Sequence, residues 1–369
     1  MTHVARIPIS HRPHIEQGEE QGHRRAVVVC DQWLGSNGYA GMKALRRAGW
    51  SVQVVPEWES IPVRWESSAM RAIGRALRPF AVREFNRRLT GQAERTSAEL
   101  LLVFKGTFVR ADALRVLRAR GVRLLCFYPD VSFRTHGPYL PAALREYDWI
   151  FTTKSFGVRD LEEQLDVKRV SVVQHAFDAD LHRPVVPTRA DIERYGCDVS
   201  FIGTWSPKKE DIVRALHARL PNVHIRVWGE QWNTPTRRRG LDGIVQGRAV
   251  EGEEYVRAIG LSTINLGILS EPRVGATSGD QITSRTFHIP ACGGFMLHER
   301  TDELLDVLSE PLEVACYGSV DELTAQVGRF LGDDAQRATI AARGHERIVA
   351  AHSWDHRINQ ILAHATSTL

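Results

Sequence analysis

Hydrophobic residues in the first half of the chain fall into short continuous runs that are separated by longer amphipathic stretches. Six such runs lie between residues 26 and 173, and they read AVVVC, VQVV, LLLVF, VRLLCF, WIFTT and VSVV. Continuous apolar runs are typical of parallel strands that are covered on both faces, whereas half-exposed strands alternate. The pattern therefore predicts a Rossmann-like domain over residues 24–180.

A second series of the same kind begins at residue 198, with the runs DVSFI, VHIRVW, STINLG, GFML and LEVA. It predicts a second Rossmann-like domain over residues 195–335, and the proline-rich, charged stretch 178–194 between the two is typical of a linker. Residues 336–369 have a helical pattern, and a return crossing to the first domain is one option for them. The polar residues 1–23 are predicted to form a disordered arm.

Composition fits two ordinary globular domains, because 369 residues with 43% hydrophobic and 25% charged residues exceed one typical core. No apolar run reaches the roughly 18 residues of a membrane span, and no apolar signal core is visible, so we expect a cytoplasmic protein. The five cysteines are scattered and lie mostly inside apolar runs. They are expected to be buried, reduced thiols, and no metal site is predicted.

The net charge of +4 is mild, but basic residues are unevenly spread and are concentrated above all in the arginine-rich segment 71–90. Apolar residues recur there at near-helical spacing around a break at Pro79, which makes a basic amphipathic segment. It could contact the inner face of an anionic membrane, or it could be a solvated helix face, which is the commoner case. Nucleic-acid binding is not predicted, because the chain has neither zinc-finger spacing nor an aromatic-plus-basic binding motif.

Polar side chains crowd the approach to a tight turn at residues 280–295. Asp280, Thr283, Arg285 and His288 precede a glycine pair that begins at Gly293, and the apolar residues after that pair predict a short buried strand. Pro290 limits how far a helix before the turn can continue. The polar residues before the turn should face a cleft and are suited to holding a nucleotide sugar.

The segment TSRTFHIPACGGFMLHER, residues 283–300, resembles the signature of the CgeB-like, spore-maturation type glycosyltransferases within the two-domain GT-B class. In that family the stretch usually reads Arg, then Phe-Glu-Ile-Pro-Ala-Cys-Gly. The wider retaining GT-B group has two carboxylates eight positions apart, the second of which holds the donor ribose, and these positions fall on Asp280 and His288. A neutral imidazole can accept one hydrogen bond from a ribose hydroxyl but lacks the charged bidentate contact of a glutamate.

The resemblance implies a GT-B fold, in which two Rossmann-like, doubly wound parallel-sheet domains face each other across a cleft. It also extends to the turn at residues 201–209, which follows a predicted strand and opens a helix. Gly203 and Thr204 would let a phosphate approach, Ser206 could cap the helix, and Lys208 or Lys209 would add charge at its N-terminus. The alternative is an ordinary strand-to-helix turn.

Other residues of the second half are donor-binding candidates. Arg285 offers planar paired donors to phosphate oxygens, although a surface ion pair is the alternative. Trp228, Gly229 and Tyr255 lie where GT-B enzymes usually frame the nucleotide base. An aromatic ring there could stack on the base, but tryptophan is also common in plain packing.

Strand ends in the first half supply candidates for the acceptor side. The loop after AVVVC contains Asn37 and Gly38, and it could present backbone amides or merely turn. Lys105 and Asp130 follow two further strands, with His136 close behind, and similar turns lie on the acceptor side in the CgeB-like family. Asp130 is the best general-base candidate for an inverting reaction, whereas a retaining reaction needs no protein base and the residue could instead position the acceptor or cap a turn.

Two features near the linker complete the set. Asp178-Ala179-Asp180 has the Asp-x-Asp spacing of metal-dependent GT-A enzymes, but it lies in the predicted linker, so we expect no metal requirement. His175, just before it, would be on the cleft side of the hinge and could contact the donor sugar or be structural.

These residues together predict a metal-independent glycosyltransferase without a cofactor, for which a nucleoside-diphosphate sugar is the co-substrate and the acceptor is unidentified. Two alternatives stay open. The first is a non-catalytic GT-B scaffold, because His288 stands where a glutamate is usual. The second is a nucleotide-sugar epimerase, which would convert its donor without an acceptor.

Overall fold

A computed structural model describes residues 24–61 and 68–367, and the predicted disordered arm at residues 1–23 lies outside this part. It contains two parallel sheets. The first has six strands in the order β2-β1-β3-β4-β5-β6, and the second has five in the order β11-β10-β9-β7-β8. The predicted pair of doubly wound parallel sheets is confirmed, because helices connect successive strands on both faces.

The first sheet follows the six predicted apolar runs closely. Its strands are β1 (Arg24–Val29), β2 (Trp50–Val55), β3 (Leu100–Phe104), β4 (Arg123–Tyr128), β5 (Trp149–Thr152) and β6 (Val170–Val172). Its helices are α1 (Asn37–Arg47), α2 (Ser68–Arg95), α3 (Ala111–Ala119), α4 (Tyr139–Leu144) and α5 (Ser155–Leu165), with a 3-10 turn at Phe133–Thr135. All five residues of β3 are buried, as expected for a strand with helices on both faces.

The second sheet follows the second series of runs. Its strands are β7 (Cys197–Ile202), β8 (Ile225–Trp228), β9 (Ser262–Gly267), β10 (Met296–Glu299) and β11 (Ala315–Tyr317). Its helices are α6 (Arg189–Tyr195), α7 (Pro207–Arg219), α8 (Pro235–Arg238), α9 (Gly252–Gly260), α10 (Ser284–Ala291), α11 (Asp302–Leu305) and α12 (Val320–Leu331). The run LEVA overlaps β11 only at its last residue, because Leu312 is 52% exposed and the strand begins at Ala315.

The segment between the sheets is more ordered than a proline-rich linker suggests. Its second half forms α6, which begins with a reciprocal capping box between Thr188 and Asp191. In its first half Lys43 of α1 pairs with Asp178 at 2.9 Å and with Asp180 at 2.5 Å. These ion pairs tie the linker to the first domain and account for both carboxylates of the Asp-x-Asp triplet.

The C-terminal helices are α13 (Asp334–Ala351) and α14 (Trp354–Ser367), and they belong to different domains. Helix α13 packs on α10 of the second domain. Helix α14 returns to the first domain, where Trp354 contacts the rings of Phe104 and Phe127 at centroid distances of 5.6 and 5.1 Å. Ile358 and Ile361 join the same buried cluster.

The predicted basic segment is part of α2, which contains Pro79. Phe80 is 73% exposed and Leu77 is 47% exposed, whereas Val82, Phe85 and Leu89 are buried on the opposite side of the helix. Among the described residues, no helix is both long and apolar enough to cross a bilayer.

Candidate active site

Each sheet has one point where the strand order reverses direction. In the first sheet this point lies between β1 and β3, and in the second it lies between β7 and β9. In open parallel sheets, ligands bind at the carboxyl ends of the strands beside such a point. The loops after these four strands therefore define the candidate site.

The Gly203 turn directly follows β7 and is fixed by its neighbours. Its amide donates to Trp228 O at 2.9 Å, and its carbonyl accepts from Trp232 Nε1 at 2.9 Å. Gly229 makes this packing possible, because a Cβ atom there would lie 2.0 Å from the Gly203 oxygen and its φ is +148°. Gly229 therefore packs directly against the turn. The neighbouring Thr204 is exposed.

Arg285 lies above this turn and extends from the first turn of α10. Its Nη2 donates to Ile268 O at 2.8 Å, and its guanidinium carbon lies 5.3 Å from the centre of the Phe201 ring. Gly203 leaves room for it, since a Cβ there would be 2.9 Å from Nη1. Its Nε is buried without a hydrogen-bond partner in the described chain, and burial lowers the pKa of Arg285.

Lys209 approaches the same turn from α7. Its Nζ donates to Thr204 O at 3.2 Å and to Ser270 Oγ at 3.0 Å. Burial, followed by the positive charge of Arg285, lowers the pKa of Lys209 to about 8. Within the described residues, neither Lys209 nor Arg285 forms an ion pair with a carboxylate. Two cations thus converge beside β7 and β9 without anionic partners in the part of the chain that the structure describes.

The N-terminus of α7 does not provide the predicted phosphate site, because Glu271 occupies it. Its carboxylate accepts from the Lys208 amide at 2.9 Å and from Ser206 Oγ at 2.7 Å. The Lys208 ammonium is itself paired with Glu299 at 2.6 Å. The amide and the charge of Lys208 thus both have carboxylate partners, which favours Lys209 of the two predicted lysines.

His288 is buried and held on three sides. Its Nε2 lies 3.1 Å from Ala176 O, so this nitrogen carries the proton, and its Nδ1 lies 3.3 Å from the hydroxyl of Tyr255. Its ring stacks on His182 with a centroid distance of 3.9 Å. Burial, followed by His182, keeps the pKa of His288 well below its usual value, so the ring is neutral. A ribose contact would require an exchange of one of these two hydrogen bonds.

Two other predicted donor contacts find no support in the positions of their residues. Trp228 is only 2% exposed and packs with Tyr195 and Val250, so neither ring face is available to a base. Gly293 ends α10 on the side away from Arg285, and a Cβ atom there would lie 3.3 Å from Pro184 of the linker. Its φ of +75° explains the glycine as a helix-terminating turn. Thr283, by contrast, is the N-cap of α10 and lies two residues before Arg285.

Asp280 pairs with a residue that the sequence reasoning missed. Lys154 Nζ, from the loop after β5 in the first domain, lies 2.5 Å from Asp280 Oδ1, and both side chains are buried. Burial alone would raise the pKa of Asp280, but the charge of Lys154 outweighs it and the pKa is lowered. Lys154 follows the run WIFTT, so the rule that selected Lys105 and Asp130 also applied to it.

On the first domain, the structure brings three predicted residues together. Asp130 Oδ2 lies 2.7 Å from Lys105 Nζ and 3.0 Å from His136 Nε2. Burial would raise the pKa of Asp130, but the hydrogen bond from His136 and the charge of Lys105 outweigh it and hold that pKa below its usual range. Asp130 is therefore an ionised carboxylate at neutral pH.

The loop after β1 presents its residues differently from the prediction. Ser36 is the N-cap of α1, with its Oγ accepting from the Tyr39 amide at 3.0 Å, and Asn37 is the first helical residue. Gly38 faces inward, because a Cβ there would lie 2.4 Å from Cys30 Cβ. Gly38 therefore serves close packing of α1 on the sheet, and its contact with an acceptor stays a prediction.

Two carboxylates near this loop were also missed. Asp31 Oδ1 accepts from the Trp58 amide at 3.1 Å, and Glu57 accepts from the Phe108 amide at 2.6 Å. Burial raises the pKa of Glu57 to about 7. Asp31 lies two positions after the end of β1, and Glu57 lies two positions after the end of β2. Position after a strand end is therefore the sequence signal that points to both residues.

His175 is buried just before the linker. It is 7% exposed, and its Nδ1 has no hydrogen-bond partner among the residues described. Burial, followed by the charge of Lys154, keeps the pKa of His175 well below its usual value. The imidazole is therefore neutral.

Comparison with known proteins agrees with this architecture. Residues 208–363 match the model of a family described as glycosyl transferase-like. The sequence has no significant match among curated proteins.

Solved structures resemble the chain over nearly its whole length. Sucrose-phosphate synthase from Thermosynechococcus elongatus superposes with a TM-score of 0.65 at 14% identity, covering 94% of this chain and 99% of the other. Anabaena Alr3699/HepE in complex with UDP-glucose gives 0.60 at 13% identity, with coverages of 93% and 100%. A glycosyltransferase from Rickettsia africae gives 0.60 at 11% identity, with coverages of 92% and 97%. The chain therefore has the GT-B fold, with a glycosyl transferase-like region over residues 208–363.

Proposed function

We propose that the protein transfers a sugar from a nucleoside-diphosphate sugar to an acceptor. The observation that carries this proposal is the pair Lys209 and Arg285, which converge beside β7 and β9 without carboxylate partners in the described chain. A diphosphate supplies the missing negative charge, and guanidinium matches phosphate geometry. The glycosyl transferase-like region and the UDP-glucose complex of a protein with the same fold support this choice.

In this proposal the diphosphate lies over the Gly203 turn, between Lys209 and Arg285 and near the N-terminus of α10. Negative charge develops on the departing diphosphate as its bond to the sugar breaks. Cations and amides that are already in place stabilise that charge without reorganisation, which is the main catalytic task here. Movement of the two domains about the linker would close the site and exclude water.

Asp130 is assigned to the acceptor. Its pairing with Lys105 and His136 keeps it ionised, so it can accept a hydrogen bond from an acceptor hydroxyl. A carboxylate with a lowered pKa is a weak proton acceptor, which favours a positioning role over that of a general base. This supports a retaining reaction, in which no protein base is required.

The subtype and the metal requirement are finer parts of the proposal. The CgeB-like signature at residues 283–300 supports that subtype. Metal independence is supported by Lys43, which pairs with both carboxylates of the Asp-x-Asp triplet, and by Arg47, which also pairs with Asp180. Turnover should therefore persist in excess EDTA, and restoration of lost turnover by Mg²⁺ or Mn²⁺ would contradict this part.

The proposal also includes contact with a membrane surface through residues 71–90. The exposed Phe80 and Leu77 lie on α2 together with the exposed Arg75 and Arg83, a combination suited to an anionic lipid surface. Sedimentation with phosphatidylglycerol vesicles should be lost in the Phe80→Ser variant and absent with phosphatidylcholine vesicles. Equal sedimentation of both proteins would leave the solvated-face interpretation.

A non-catalytic scaffold is the rival that one observation favours, because both ring nitrogens of His288 already form hydrogen bonds. The His288→Glu variant restores the carboxylate that is usual in the family. Transfer in the wild type supports the enzyme, whereas activity that appears only in the variant supports the scaffold. An epimerase would convert the donor when incubated alone, which NMR of the sugar detects directly.

The first test is nucleotide binding. Thermal unfolding of the purified protein is measured with UDP, GDP, TDP, ADP and CMP. A ligand at 100 times its dissociation constant adds about 2.7 kcal/mol of stability. A selective shift identifies the base and thereby the sugar donors for a transfer assay. Failure of all five ligands to shift the transition would contradict the proposed donor site.

A further inference from the structure

A hydrogen-bonded chain runs across the cleft from one domain to the other. Lys209 Nζ donates to Ser270 Oγ at 3.0 Å, and the Asp280 amide donates to the carbonyl oxygen of Ser270 at 2.9 Å. The Asp280 carboxylate in turn lies 2.5 Å from Lys154 Nζ of the first domain. Ser270 and Asp280 thus connect Lys209 of the second domain to Lys154 of the first.

The buried position of Lys154 is unusual for a positive charge. Its side chain is 4% exposed and that of Asp280 is 9% exposed. Burying such a pair costs several kcal/mol per ion in desolvation, so an ion pair of this kind is weak evidence for a stabilising role. Its Nζ also lies 3.4 Å from Ile282 O, immediately before the N-cap of α10. The ammonium therefore reaches the same helix end from which Arg285 extends.

The charges around Asp280 do not balance. Lys154, Lys209 and Arg285 supply three positive charges, Asp280 supplies one negative charge, and His175 is neutral. The nearby Lys208 and Glu299 cancel each other, and so do Glu271 and Arg273, whose charges act on Lys209 with opposite signs. The excess of two positive charges equals the charge of the two phosphates in a nucleoside-diphosphate sugar, which carry one negative charge each.

We propose that Lys154 is a donor-phosphate ligand supplied by the first domain, with Asp280 as its counter-ion. An ammonium has three donors, and the contacts to Asp280 and Ile282 account for two of them. The third is available to a phosphate oxygen of the donor. This inference rests on the proposed function and adds a residue from the opposite side of the cleft to the diphosphate site.

Binding of phosphate probes tests the assignment. The probes are inorganic pyrophosphate and the best nucleoside diphosphate of the thermal panel, with its matching nucleoside as the uncharged control. Lys154→Met should weaken binding of both phosphate probes at least tenfold by calorimetry and leave nucleoside binding unchanged. Lys154→Arg, which keeps the charge, should retain most of the affinity.

Asp280→Asn separates a phosphate ligand from a mere link between the domains. If Lys154 acted only by closing the cleft through Asp280, this variant would lose affinity as Lys154→Met does, and the inference would be overturned. Retained or improved phosphate affinity supports it, because a carboxylate that repels phosphate has been removed.

Lys154→Met leaves Asp280 buried and unpaired, so its folding is checked by circular dichroism. If it does not fold, the double variant Lys154→Met with Asp280→Asn, which buries neither charge, replaces it and should show the same loss relative to Asp280→Asn. Unchanged affinity in the folded variant would overturn the inference while the proposed function stands. Absence of any phosphate binding by the wild type would instead refute both.

Discussion

The carboxyl edges of the two sheets differ in charge although their architectures are alike. The edge of the first domain beside β1 to β4 is acidic, with Asp31, Glu57 and Asp130 around the ammonium of Lys105, while Lys154 after β5 pairs with Asp280. The edge of the second domain presents Lys209 and Arg285 without carboxylate partners in the described residues. The same fold thus places an anion-binding surface opposite one suited to uncharged hydroxyl groups. The chemistry of a site is set by the residues at strand ends and not by the fold.

Replacing the main cation of the second edge should have the largest effect. We expect Arg285→Ala to lower kcat/KM for the nucleotide-sugar donor by about 100- to 1000-fold, the usual cost of losing one preorganised group that stabilises a departing anion. Steady-state turnover with the donor measures this. Arg219→Ala, which removes a surface arginine at the far end of α7, is the matched control and should turn over normally. Equal turnover in both variants would refute the role of Arg285.

One closely packed glycine beside each edge allows the two edges to be compared by substitution. Gly229→Ala places a Cβ 2.0 Å from Gly203 O, and Gly38→Ala places one 2.4 Å from Cys30 Cβ. Each should destabilise the protein by about 1–3 kcal/mol, because overpacking forces the backbone to move. Only Gly229→Ala should also weaken nucleotide binding, since it displaces the Gly203 turn. Chemical denaturation and calorimetry measure the two effects, and equal loss of nucleotide binding in both would argue against that turn as the diphosphate site.

The pKa of Lys209 predicts that nucleotide binding at the cationic edge depends on pH. Because this pKa is lowered to about 8, the ammonium is present below pH 8 and is lost as the pH rises through that value. Affinity for a nucleoside diphosphate should therefore fall by about tenfold between pH 7 and pH 9.5, as a charge-assisted hydrogen bond weakens. Lys209→Arg keeps its charge and should remove this pH dependence. A wild type whose affinity is constant over this range would place Lys209 outside the site.

The smallest effect is expected at the acidic edge. Asp130→Asn should raise KM for the acceptor by about tenfold or less, the value of one charge-assisted hydrogen bond, and leave donor binding unchanged. A loss of kcat by roughly a thousandfold would instead mark Asp130 as a general base, whose contribution is typically 100- to 10,000-fold. Separate titrations of acceptor and donor distinguish the two.

Strand positions could be predicted from the sequence because continuous apolar runs are a local signal. Pairings between distant strand ends could not. Lys105 and Asp130 were chosen individually by the strand-end rule, but the sequence contains nothing that measures the 2.7 Å between them. The proposed phosphate role of Arg285 could be inferred from its motif, whereas the Lys154 to Asp280 pair depends on how the two domains face each other.

The predicted contacts that find no support in the structure have a common physical cause. Trp228, Gly38 and Gly293 lie near a strand or turn, and each is used for packing. The amide of Lys208 is bonded to Glu271, which lies 63 residues away in sequence yet caps the same helix end. Periodicity predicts which residues are buried in a strand, but it does not predict which carboxylate reaches a helix terminus from elsewhere.

Helix α14 has a consequence for the order in which the protein is built. Trp354, Ile358 and Ile361 complete the core of the first domain, although they are synthesised after the whole second domain. Domains usually fold in turn as they leave the ribosome. Here the apolar face formed by Phe104 and Phe127 must wait for residues some 230 to 250 positions later in the chain before it is covered. The second domain can therefore finish folding first. The first domain, although it is synthesised earlier, becomes stable last.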